Sequence, residues 1–214
     1  MKAGLTVTAI LLATLSPLSA QSGDNTKTTG RACLSVLNTA NGDEEPLLAD
    51  HTGRRGLKLL AHFDATVPCE VFAAVFARNG EAVPGCRPQF ASVAAHTEGT
   101  LPKAPASWNW EKDGGPVEGY ILFFAKGSKD ASEFRALATA MQSAKDESVI
   151  KLQTAKVREL IGRVAIDRSP LRPPKLDADV AGTYRMVVGF EWRNAAKSVS
   201  FSAAKPVAAV FPTR

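Results

Sequence analysis

The hydrophobic pattern is sharpest between Gly56 and Gly80, GLKLLAHFDATVPCEVFAAVFARNG. Leu57, Leu59, Ala61 and Phe63 alternate with Lys58, Leu60, His62 and Asp64, the period of a strand with one buried face. Beyond the break at Thr66-Val67-Pro68, the run from Val71 to Phe76 is apolar on both faces. That predicts a strand in the middle of a sheet covered on both sides. Asn79-Gly80 tolerates positive φ and favours a two-residue hairpin turn after it. Gly119 to Ala125 is a second near-continuous apolar run and the predicted partner of Val71 to Phe76.

Other segments fill in around this pair. Ala32 to Leu37 alternates and predicts the first strand, and Leu47-Leu48 a short edge strand after a turn at residues 41–46. Residues 84–118 are rich in Pro, Gly and Ser and read as a long irregular connection with a short strand near Gln89 to Ala94. Asp130 and Glu133 form a capping pattern before Phe134, Leu137 and Met141, which predicts a helix from Ala131 to Ser143. Val157, Leu160, Ile161 and Val164 share a face and predict a second helix over Leu152 to Val164, with Val149 to Leu152 open between helix and strand. Tyr184, Met186, Val188, Phe190 and Trp192 alternate with polar residues as a further strand, followed by strands at Ser198 to Ala203 and Val207 to Phe211. The expected fold is α+β and mainly β: an antiparallel, immunoglobulin-like β-sandwich with a two-helix insertion at about residues 130–166.

The amino terminus changes the picture. Lys2, the apolar run from Leu5 to Leu15 and the small residue Ala20 predict a signal peptide over residues 1–20. Residues 21–30 then read as a flexible leader, and 31–214 as one domain. The expected location is the periplasm or the extracellular space, without a membrane-spanning segment. A formal net charge of +5 is mild and does not argue for nucleic acid as a partner.

Candidate chemistry is sparse. The sequence has no nucleophile elbow, no zinc-protease motif, no phosphate-binding glycine loop and no paired-cysteine motif. Three cysteines, Cys33, Cys69 and Cys86, allow one disulfide, with Cys69 and Cys86 the preferred pair; such a loop is worth about 3 kcal/mol. Three buried free thiols are the alternative. His51, His62 and His96 lie too far apart in sequence for a metal-ligand cluster, so neither metal nor cofactor is expected. Asp64, Asp113, Glu118 and Asp167 stand near element ends, and Ser35 and Ser128 have no base beside them in the sequence. Trp108 and Trp110 point to one side of an extended segment, where they either stack on a sugar or peptide or close the core. Arg163, Arg168, Arg172 and Lys175 form a proline-broken basic stretch suited to an acidic polymer or partner face.

A wider likeness runs through these segments. Gly56-Leu57-Lys58-Leu59, Phe63-Asp64-Ala65, Val71-Phe72 and Phe76 before Asn79-Gly80, Leu101-Pro102, Gly115-Pro116-Val117-Glu118 and Ala125-Lys126-Gly127-Ser128 before the Phe134/Leu137 helix are similar to a bacterial domain of unknown function. That family occurs in exported or envelope-associated proteins, sometimes attached to protein kinases or caspase-like peptidases. This chain departs from it in carrying no attached enzyme domain and in having Cys69 where an aromatic residue is more typical. The resemblance implies a β-rich accessory module without catalytic residues. The expected function is a non-catalytic binding or interaction module of the bacterial envelope, with an envelope protein or glycan as partner. A small secreted hydrolase using one histidine and a carboxylate, and a structural subunit of an envelope assembly, are the alternatives.

Overall fold

The computed structural model describes residues 28–47, 56–103, 105–110, 116–164, 169, 171–178, 184–192 and 196–202. In chain order the strands are β1 (Thr29–Asn38), β2 (Glu44–Pro46), β3 (Leu57–Ala65), β4 (Cys69–Ala77), β5 (Gln89–Val93), β6 (Gly99–Leu101), β7 (Trp108–Asn109) and β8 (Val117–Ala125). Two helices follow, α1 (Lys129–Ser143) and α2 (Glu147–Arg163), and then β9 (Lys175–Ala178), β10 (Tyr184–Glu191) and β11 (Lys197–Ser202). The fold is mainly β, with two antiparallel sheets and two helices. The larger sheet runs β6-β3-β1-β10-β9, with β2 paired to β1 and β7 to β3; the smaller runs β11-β8-β4-β5.

The two doubly apolar segments are neighbours, as their composition requires. Val71 lies opposite Phe123 and Phe72 opposite Leu122 in the β4–β8 ladder. Their alternate faces serve two different cores. Val71, Ala73, Val75, Ile121 and Phe123 face a cluster shared with Leu34, Leu59, Phe63 and Phe190 of the larger sheet. Phe72, Ala74, Phe76, Leu122 and Phe124 face a second cluster with Phe134, Met141, Val157 and Leu160 of the helices. Both faces are therefore withdrawn from water, which is why neither segment alternates. Gly119 marks a close approach between the sheets: a Cβ there would stand 2.5 Å from Leu34 Cδ2.

The helices begin earlier than their apolar spacing indicates. Ser128, not Asp130, caps α1, its hydroxyl accepting from the Ala131 amide at 3.2 Å. Asp146 caps α2, accepting from the Ser148 amide at 2.7 Å, so Val149 to Leu152 is helical. Thr29 and Gly30, expected in a leader, belong to β1 and lie opposite Glu191 and Phe190. A short strand precedes the edge strand expected at Leu47-Leu48, over Glu44–Pro46; Leu47 lies just past it, and Leu48 lies outside the described residues. The signal segment 1–20, Arg168 and the strand expected at Val207 to Phe211 lie outside the described residues.

The β4–β5 connection is not a plain hairpin. Gly80 has φ +85, and Phe76 is bridged to Ala82 across a tight turn. Yet Ala73 pairs with Gln89, so the residues between Ala82 and Gln89 are looped out of the ladder. Pro84-Gly85, which cannot continue a ladder gracefully, sits in that excursion.

Candidate functional site

Two arrangements of polar side chains stand out, one sealed and one open. The sealed one lies on the face of the larger sheet turned away from the shared core. β1 and β3 direct Leu34, Val36, Leu59 and Phe63 to the core, so alternation sends Ser35 and His62 to the other face. Register then brings distant residues together. Cys33 and Thr100 both lie opposite His62, on β1 and β6, and β2 delivers Glu44.

His62 Nε2 lies 2.7 Å from Glu44 Oε1 and 3.1 Å from Ser35 Oγ. Its Nδ1 is 3.1 Å from Thr100 Oγ1. Ser35 Oγ donates to Glu44 Oε1 at 2.6 Å. Arg185 of β10 donates through Nε to Glu44 at 3.0 Å and through Nη1 to Glu98 at 2.5 Å. Burial alone would raise the Glu44 carboxyl, but hydrogen bonds from His62, Ser35 and Arg185 outweigh it and hold the group at about 2.

The trio Ser35, His62 and a carboxylate has the composition of a hydrolytic triad but not its wiring. A nucleophilic serine must be reachable and must give its proton to the histidine. Ser35 is wholly buried, and its hydroxyl donates to Glu44 instead. Both Ser35 and His62 converge on one carboxylate oxygen, an arrangement that locks β1, β2, β3 and β10 together.

The open arrangement is a groove of about 680 Å³ between α2 and the looped-out segment after β4. One helical stripe forms its wall: Glu147, Ile150, Lys151, Thr154, Ala155 and Arg158 recur at three- and four-residue spacing. The opposite wall includes Gly80, Glu81, Ala82, Pro84 and Arg87. That wall is pinned from behind. Trp108 Nε1 donates to the Arg87 carbonyl at 2.5 Å, and Gln142 Nε2 to the Pro88 carbonyl at 3.2 Å. Thr154 at the groove is 3% exposed, and among the described residues its Oγ1 has no hydrogen-bond partner.

The residues singled out in the sequence are distributed differently from expectation. Trp108 and Trp110 are buried at 1% and 0% exposure, packed in the core between the sheets. Their shared side is the inward side, so they present no stacking surface. Arg163 ends α2 and faces Glu133 of α1 at 3.7 Å. Arg172 and Lys175, in contrast, are exposed beside and on β9, at the edge of the larger sheet. The basic stretch is thus divided between two layers.

Cys33, Cys69 and Cys86 are all buried free thiols. Cys69 lies opposite Val93 in the ladder, whereas Cys86 is in the excursion with Sγ 3.5 Å from the Asn109 carbonyl, so the preferred disulfide is not formed. Burial pushes these thiols up to about 12, 11 and 12 respectively. His96 is exposed with φ 55, and His51 lies outside the described residues.

Among the described residues no group of three or more His, Cys, Asp or Glu is placed to hold a metal ion, and no helix is long and apolar enough to cross a membrane. The groove had no motif to announce it. Its one trace in the sequence is Thr154, a hydroxyl on the otherwise apolar stripe Ile150, Val157 and Leu160. No family model, no curated protein and no solved structure matches the chain.

Proposed function

We propose that the chain is a non-catalytic, exported binding module that holds a small ligand in the groove between α2 and the segment after β4. The groove carries this reading: its volume of about 680 Å³ falls in the range of small-molecule sites, roughly 300–1,000 Å³. Apolar Ile150, Ala82 and Ala155 are interleaved there with charged Arg87, Lys151 and Arg158. The pinned wall supports a preformed site, which keeps the ordering cost of binding low. The basic head and apolar run within residues 1–20 support export. We read the two-layered body as an immunoglobulin-like β-sandwich, supported by the single core that both sheets share.

The hydrolase alternative draws on the 3.1 Å approach of His62 to Ser35, but the burial of Ser35 and the course of its proton weigh against it. Thermal melts test the groove. A low-molecular-weight extract of the source envelope should raise the melting temperature, because ligand at 100 times its Kd adds about 2.7 kcal/mol. Ala155→Trp, at an exposed helix position lining the groove, should remove that response. An equal response in both proteins, or none in either, would count against a ligand here. Ser35→Ala should leave the response intact, and turnover of simple nitrophenyl esters lost on that change would favour the hydrolase.

A further inference from the structure

Resting on the groove as a ligand site, we infer that its occupant is an amphiphilic oxyanion: an apolar body with one carboxylate, sulfonate or phosphate group. The charges lining the groove lead to this. Arg87, Lys151 and Arg158 face Glu81 and Glu147, which leaves one positive charge in excess. Both carboxylates have neighbours of their own. Glu81 accepts from Asn79 Nδ2 at 3.0 Å, and Glu147 stands four residues before Lys151 on α2, the spacing at which the two charges offset each other.

Arg87 and Arg158 remain, and among the described residues neither takes part in an ion pair. Arg158 also reaches the opposite wall. Its guanidinium lies against the turn at Gly80, where an added Cβ would fall 1.6 Å from Nη1 and 2.2 Å from Cζ. The turn itself, with φ +85 at Gly80, is what favours glycine there. A planar guanidinium at the rim of a half-apolar groove is suited to paired hydrogen bonds with an oxyanion. Ile150, Ala82 and Ala155 of the same groove offer contact for an apolar body. A wholly neutral ligand would leave the two arginines unanswered, and a small inorganic anion would leave most of the groove empty.

Two fluorescent probes that differ by one group test this in the full chain: 8-anilinonaphthalene-1-sulfonate and its uncharged counterpart N-phenyl-1-naphthylamine. The sulfonate should bind at one site per chain, at least about tenfold more tightly than the neutral probe. Arg87→Gln and Arg158→Gln should each weaken the sulfonate by about tenfold and leave the neutral probe unchanged. Circular dichroism checks that each variant is folded, and both sites are exposed enough for substitution to spare the cores. Equal binding of the two probes, abolished for both by Ala155→Trp, would overturn the oxyanion while leaving the groove a ligand site. Sulfonate binding unchanged in the Arg87→Gln/Arg158→Gln double variant would overturn it too. Probe binding indifferent to Ala155→Trp would remove the groove reading itself.

Discussion

Glu44 Oε1 and His62 Nε2 lie 2.7 Å apart beneath the outer surface of the larger sheet, joining two strands with β1 between them. The carboxylate is held at about 2 against a usual value of 4.5. Because the folded value is the lower one, the unfolded chain binds more protons between these limits, and stability rises with pH across them. The contribution is fully present above about pH 4.5 and is lost as pH falls towards 2, up to about 3 kcal/mol in all. Urea titrations at pH 7 and pH 3 should show about 2 kcal/mol of that loss in the native protein. Glu44→Gln should be about 3 kcal/mol less stable at pH 7, since it removes the charge on which Ser35, His62 and Arg185 converge, and should flatten the acid dependence. A native-like acid slope in Glu44→Gln would assign the effect to other carboxylates.

That cluster also separates what is legible in a sequence from what is not. Alternation placed His62 on the polar face of its strand, and there it is. Alternation does not say which strand lies alongside. Ser35 and Glu44 reach His62, and Arg185 reaches Glu44, only because β1 sits between β3 and β10, and Arg185 is 141 residues from Glu44. The pairing around Phe72 and Phe123 was legible because two long runs without polar residues can be satisfied only inside a doubly covered sheet. The tryptophans were ambiguous, because two residues on one side of a strand are equally consistent with an inner or an outer face. Apart from the hydroxyl of Thr154 on an apolar stripe, the groove was not legible. It depends on an excursion between Ala82 and Gln89 that the turn signal at Asn79-Gly80 concealed, and on α2 crossing it.

The thiols give a second test. Cys33, Cys69 and Cys86 are buried, and burial holds them at about 12, 11 and 12, so scarcely any thiolate is present at pH 8. Native protein should react negligibly with a disulfide reagent such as 5,5′-dithiobis(2-nitrobenzoate). In guanidinium chloride without reductant all three should titrate. A single reactive thiol under those conditions would restore a disulfide to the chain.

Glu70 ties the helical layer to the smaller sheet. It is 3% exposed on β4, accepts from the Gly127 amide at 3.0 Å and is bonded by Arg135 of α1. Arg135 also lies over the Phe90 ring, 4.9 Å from its centroid. Glu70→Ala leaves the Gly127 amide without its acceptor and should cost about 2–3 kcal/mol. Arg135→Ala should cost less, because that side chain is half in solvent and leaves Glu70 still bonded to the amide. Chemical denaturation of the two variants checks the order, and the reverse order would mean that the buried Glu70 carboxylate left without its cation costs more than the lost acceptor.

Thr154 carries the opposite expectation, a substitution that strengthens the fold. Its Oγ1 is buried without a hydrogen-bond partner among the described residues, although a helical threonine can usually bond back to a preceding carbonyl. Leaving a buried hydroxyl unsatisfied costs about 1–3 kcal/mol. Valine has nearly the same shape and nearly the same helix propensity, and its neighbours on the buried stripe, Ile150, Val157 and Leu160, are apolar already. Thr154→Val should therefore raise stability by about 1 kcal/mol, read as a higher urea midpoint at unchanged slope. A polar residue that weakens its own fold beside the proposed ligand groove fits the pattern in which sites carry a stability cost for function. The same variant tested with the sulfonate probe connects the two: a gain in stability accompanied by weaker binding would give the hydroxyl its reason. A loss of stability would show instead that the hydroxyl is hydrogen-bonded in solution.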